Sequence, residues 1–234
     1  MAVLPSRAGA AQGATLSVKF TPERLGAPTT LSFGFAVAPG SAARNALTAV
    51  ELSYPAKLGI STSGLGLASC SAALLESRGP AACPANSHMG YGSALVEVPI
   101  GAELVGETAS VALLAGPSPN ASLQLLVSVT GESPVAARIV LSAQLLPGRL
   151  EIRVPPIQIL PEAPYVGLVR LRATLGGRLK YYEQVHGRTV AYRPRGIVLP
   201  TVCPRNGFRF AAALTFLDGS RSLARATVPC PRRG

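Results

Sequence analysis

Apolar and polar residues take turns along most of this chain, and glycine and proline repeatedly cut the alternation. Leu16, Val18 and Phe20 alternate with Ser17, Lys19 and Thr21; Leu31, Phe33, Phe35 and Val37 alternate with Ser32, Gly34 and Ala36. A period of two sends successive side chains to opposite faces of an extended strand, so one face can be buried and the other wetted. The 24 glycines and 21 prolines lie largely between such runs. Punctuation of this kind marks short strands and turns rather than long helices. Hydrophobic residues make up 48% of the chain and charged ones only 14%, which excludes a disordered polymer.

Further strands are expected at 47–54, 93–98, 107–115, 122–130, 135–146, 149–154, 169–175, 180–193, 197–202, 208–217 and 221–228. One short helix is predicted over 71–78: Ser71 caps its first turn, Ala72 to Leu75 favour it, and Gly79-Pro80 stops it. Gly90-Tyr91-Gly92-Ser93 reads as a turn opening a strand, and 59–69 as a Gly/Ser/Thr-rich loop. The expected fold is therefore all-β, an antiparallel β-sandwich with jelly-roll-like or immunoglobulin-like layering and one short helix. No repeat at a fixed period suggests a propeller or solenoid.

Residues 1–13 are expected to form a flexible tail and 14–234 a single sandwich domain. Pro155, Pro156, Pro161 and Pro164 crowd the segment 155–164, yet Ile157, Ile159 and Leu160 are too apolar for an exposed linker. It reads as an extended segment packed on the domain; a domain boundary there is the alternative.

Four cysteines allow three pairings. Cys70 with Cys83 and Cys203 with Cys230 is the pairing expected. Neither local pair has the two-residue gap of a zinc or redox motif. Residues 208–217 and 221–228 read as a hairpin turned by Asp218-Gly219-Ser220, which places Cys203 and Cys230 near its open end. Closing loops of this size contributes about 3–4 kcal/mol in the chain-entropy model.

The inventory for catalysis is thin. The chain has two histidines, His88 and His186, one aspartate, Asp218, and no tryptophan. No Gly-x-Ser-x-Gly elbow, phosphate loop or metal-ligand spacing occurs, so neither a cofactor nor a metal is expected. Ten glutamates leave room for a facing carboxylate pair of the glycosidase kind, although no local motif points to one. Asn120-Ala121-Ser122 is a formal glycosylation acceptor.

The net charge of +11 comes entirely from residues 118–234. Within that half, 178–196 concentrates Arg178, Lys180, Tyr181, Tyr182, His186, Arg188, Tyr192, Arg193 and Arg195. Arginine forks grip sulfate, phosphate or carboxylate, and tyrosines stack on sugars or bases, so these nine residues form the candidate binding segment. The competing reading is a pair of twisted strands whose tyrosines cover a sheet and whose arginines lie over it.

No apolar stretch reaches the roughly 20 residues that span a bilayer. The start of the chain carries small residues but no apolar leader core. The expectation is a mature exported form, or a reading frame begun late. Cys70, Cys83-Pro84-Ala85-Asn86-Ser87-His88-Met89-Gly90-Tyr91-Gly92-Ser93, the Phe20-Thr21-Pro22 segment before Leu31 to Val37, and the ending from Cys203-Pro204 through Phe216, Asp218-Gly219-Ser220 and Pro229-Cys230-Pro231 resemble secreted proteins of soil actinobacteria with no established activity. The resemblance covers most of the chain. It implies an exported, β-rich protein with two disulfides and no catalytic residues.

The function expected from these features is non-catalytic: a secreted or cell-surface protein with a structural, adhesion or ligand-binding role. Its expected partners are an anionic polysaccharide or another envelope protein. Two alternatives stay open: a binder of anionic polymer, polysaccharide or nucleic acid, through 178–196, and a glycan-active hydrolase.

Overall fold

The computed structural model describes residues 13–38, 46–60, 68–117, 123–159, 161–176, 180–192 and 196–231. Its strands are β1 (Ala14–Thr21), β2 (Pro28–Val37), β3 (Leu47–Ser53), β4 (Gly59–Ile60), β5 (His88–Ile100), β6 (Glu103–Ala115), β7 (Gln124–Gly131), β8 (Ala137–Leu146), β9 (Arg149–Arg153), β10 (Gly167–Leu175), β11 (Tyr181–Val185), β12 (Arg188–Tyr192), β13 (Ile197–Val198), β14 (Phe208–Phe216) and β15 (Arg221–Val228). The one α-helix among the described residues, α1 (Ala72–Arg78), lies where the capping pattern placed it. The Ser71 hydroxyl accepts a hydrogen bond from the Leu74 N–H at 3.2 Å.

The strands do not form a sandwich. Eleven of them follow one another as β1–β2–β10–β5–β6–β7–β8–β9–β3–β14–β15 in a single antiparallel sheet, which curls until β15 lies beside β1. The result is a nearly closed barrel, and the expected two-layer β-sandwich, jelly-roll-like or immunoglobulin-like, is corrected accordingly. Two inserted strands make the difference. β10 pairs with both β2 and β5, and β3 pairs with both β9 and β14. Each laces together neighbours that a sandwich would assign to separate layers. Alternation dictates which side chains face inward, and it does so equally for two stacked sheets and for one ring.

Three clusters fill much of the interior and one lies outside it. At one end, Phe20, Phe208 and Phe210 pack with Leu31, Ile197, Leu199 and Val228. The Phe20 and Phe208 rings meet edge to face at 5.3 Å, the arrangement their quadrupoles favour. Phe35, Val37, Leu47, Val50, Leu214 and Phe216 join β2, β3 and β14. A third cluster, including Leu52, Val111, Leu113, Leu125 and Leu150, runs along β3 and β5 to β9. Outside the wall, α1 covers β7 and β8. There Leu75 is fully buried with Leu114, Leu126 and the Cys70–Cys83 bridge.

Both expected bridges form, with Cα–Cα distances of 5.4 Å for Cys70–Cys83 and 5.9 Å for Cys203–Cys230. The turn between β14 and β15 uses the expected residues: the Ser220 N–H donates to Asp218 Oδ1 at 2.8 Å. Gly90 and Gly92 lie within β5 rather than in a turn before it. Side chains facing outward include Ser17, Lys19, Ser110, Arg170, Arg172, Arg209 and Arg225. Among the described residues no helix is long and apolar enough to cross a membrane.

Candidate functional site

The sequence drew attention to 178–196, and the described part of that segment is a hairpin standing apart from the barrel sheet. Among the described residues β11 and β12 pair only with each other. Their two-residue turn is His186-Gly187, with φ of 49° and 75°, the left-handed pair that tight hairpins require. Tyr181, Glu183, Val185, Arg188, Val190 and Tyr192 share one face by register, while Lys180, Tyr182 and His186 are exposed. Tyr181 stacks on His88 at 4.1 Å with 22° between the rings, and Tyr192 opposite it is buried. The candidate residues are thus divided between the hairpin's two faces. Arg178, Arg193 and Arg195 lie outside the described residues, as does the acceptor Asn120-Ala121-Ser122.

Burial governs the titration of this aromatic contact. It lowers His88 from its ordinary value of 6.5, partly offset by a hydrogen bond to the Pro80 carbonyl. Burial also raises the Tyr181 phenol, with Tyr192 and Tyr91 pushing the same way, and raises Tyr192. Neutral rings stacked under a hairpin hold that hairpin to the start of β5. Tyr182, 65% exposed, is the aromatic group left facing solvent.

A different site emerges inside the barrel. A cavity of about 180 Å³ lies against the inner faces of β5 to β9, with Phe33, Phe35, Leu168 and Leu171 across from them. Two features leave this space. Eight strands enclose an interior that side chains just fill, and eleven enclose more. Small residues also stand at inward positions: Ala94, Ala109, Ala137 and Ala173 line the cavity.

The proline-rich stretch after β9 lines one side of the cavity. Val154, Pro155, Ile157, Ile159 and Val166 all face the cavity. The stretch is held as a loop: the Val166 N–H donates to the Ile157 carbonyl at 2.8 Å, and Gln158 Nε2 to the Ala163 carbonyl at 2.8 Å. At its base the Val154 N–H donates to the Thr48 carbonyl at 2.9 Å.

One lining side chain is polar. Glu107, on β6, is 4% exposed, and its Oε1 has no hydrogen-bond partner among the described residues. The carboxyl rests against Gly131 of β7, where a Cβ would meet Oε1 and oblige the Glu107 side chain to shift. Sequence reasoning passed over Glu107. The available signal was its phase: Glu107, Ala109, Val111 and Leu113 alternate as one inward face, and a carboxyl holds an apolar place in that series.

Among the described residues no three histidine, cysteine, aspartate or glutamate side chains converge as metal ligands. No family model, curated protein or solved structure matches this chain.

Proposed function

We propose that this protein is a non-catalytic binding protein, exported to an oxidising compartment, that encloses a small apolar molecule in its barrel. The observation that carries the reading is the cavity of about 180 Å³, lined by aliphatic and aromatic side chains. An apolar cavity of about 150 Å³ stays dry and accepts benzene, so this one accommodates a single ring or a chain of about eight carbons. The two disulfides support an extracellular setting. Among the described residues a single carboxyl lines the cavity, whereas glycoside hydrolysis needs two, which supports binding without chemistry.

The test is a thermal-shift and native mass spectrometry series with benzene, toluene and heptanol. Ligand at about 100 times its Kd stabilises a one-site protein by about 2.7 kcal/mol, a readily measured rise in Tm. Ala109→Leu places three carbons into the space and should abolish the shift while leaving the protein folded. No shift with any ligand, or equal shifts in the filled variant, would remove the proposal.

A second reading rests on the outer surface. β14, β15, β1, β2 and β10 are successive neighbours around the wall, and their exposed cations are Arg209, Arg221, Arg225, Lys19, Arg170 and Arg172. None of these five strands contains an aspartate or glutamate. A face of one sign favours an anionic polymer such as a sulfated polysaccharide. Retention on heparin resin should fall with salt and drop sharply in Arg170→Ala/Arg172→Ala/Arg225→Ala; retention like that of the wild type would exclude this face.

A further inference from the structure

We propose that the Glu107 carboxyl is the polar anchor of the barrel cavity, and that the guest is an apolar molecule carrying one hydrogen-bond donor, a hydroxyl or an amine. The inference rests on the cavity being a binding site and specifies what it selects. Its starting point is an imbalance. Glu107 is almost wholly withdrawn from water, yet Oε1 meets no donor among the described residues. Buried polar atoms are nearly always hydrogen-bonded, and leaving a carboxyl oxygen unmatched is costly.

The surroundings restrict what can supply the missing donor. Every other described side chain lining the cavity is apolar. A water molecule held there needs roughly two to four polar partners, and the lining side chains provide one. A guest with a single donor on a hydrocarbon body fits both halves of the site. Its donor pairs with the Glu107 carboxyl, and its body fills the apolar volume.

The geometry sets its orientation as well. Glu107 stands near the β5–β6 turn, and the inward positions that follow it along β6 are Ala109, Val111 and Leu113. The hydrocarbon portion lies along that row. Gly131, on the neighbouring strand β7, leaves room beside the carboxyl, where a Cβ would meet Oε1. Glu107 therefore acts as a specificity residue: it rejects guests that cannot donate, since those leave its oxygen buried and unmatched.

The experiment uses three guests of equal heavy-atom count, heptanol, heptylamine and hexyl methyl ether, titrated calorimetrically into the wild type, Glu107→Gln and Glu107→Leu. In the wild type, heptanol or heptylamine should bind about tenfold or more tighter than the ether, the effect of one hydrogen bond to a carboxylate. The preference should vanish in Glu107→Leu. Glu107→Gln separates the two donors: it retains a preference for the alcohol and loses one for the ammonium. Equal affinities for all three guests in the wild type overturn the anchor while the cavity reading stands. Binding by none of them overturns both. If Glu107→Leu does not fold, the wild type and Glu107→Gln decide the matter: an amine advantage over the ether that persists unchanged in Glu107→Gln overturns the anchor.

Discussion

At the residue scale, His88 couples the hairpin contact to acidity. Burial lowers its pKa, so the folded protein favours the neutral ring stacked on Tyr181. As pH falls, the unfolded chain takes up the proton first. This contribution to stability is therefore complete above about 6.5 and is lost as pH falls through that value toward the lower folded pKa. Denaturation midpoints compared at about pH 7.5 and about pH 5.5 should fall more in the wild type than in His88→Gln; parallel losses would disconnect His88 from the effect. The residue scale is also where sequence reading failed most clearly. Gly90 and Gly92 suggest a turn by composition, yet β10 runs so close to β5 that a Cβ on either would strike the carbonyl of Thr174 or Arg172. Close approach between strands distant in sequence leaves no local signature. Glu107 was legible in principle, because its phase in β6 is inward, but its significance depends on a cavity that appears only once β5 to β9 curve together.

At the level of elements, most strands were readable because alternation and turn chemistry are local. The β14–β15 hairpin shows this well: Phe208, Phe210, Ala212, Leu214 and Phe216 are all buried on one face, and Asp218-Gly219-Ser220 turns the chain. The helix was readable for the same reason, through Ser71 and Gly79. Cys203–Cys230 fastens the hairpin at its open end, where strand ends would otherwise fray. Replacing both cysteines with serine should lower stability by about 3.5 kcal/mol, as estimated from the loop closed by the bridge. Urea denaturation of the double variant beside the wild type measures it, and a difference under about 1 kcal/mol would assign the hairpin's stability to its phenylalanines instead. The stretch 154–166 illustrates the limit of element-level reading: its apolar residues marked it as packed, but what they cover is set by the curvature of strands before and after it.

At the scale of the whole molecule, closure of the sheet depends on β3 and β10, each inserted between partners far away in the chain. Such pairings cannot be deduced from periods or turns, which is why layers were expected and a ring was found. The ring also has one unlaced joint. β1 is hydrogen-bonded to β2 and β15 to β14, and no ladder joins β1 to β15 among the described residues. The amides of β1 and β15 that point into this joint should exchange with deuterium well ahead of those in β6 and β7; equal protection would show the joint to be sealed. A hoop split at one place can widen its circumference without breaking any rung elsewhere. That give is confined to the side away from the cavity, whose lining among the described residues includes none from β1, β14 or β15, so the wall around the cavity keeps its rungs.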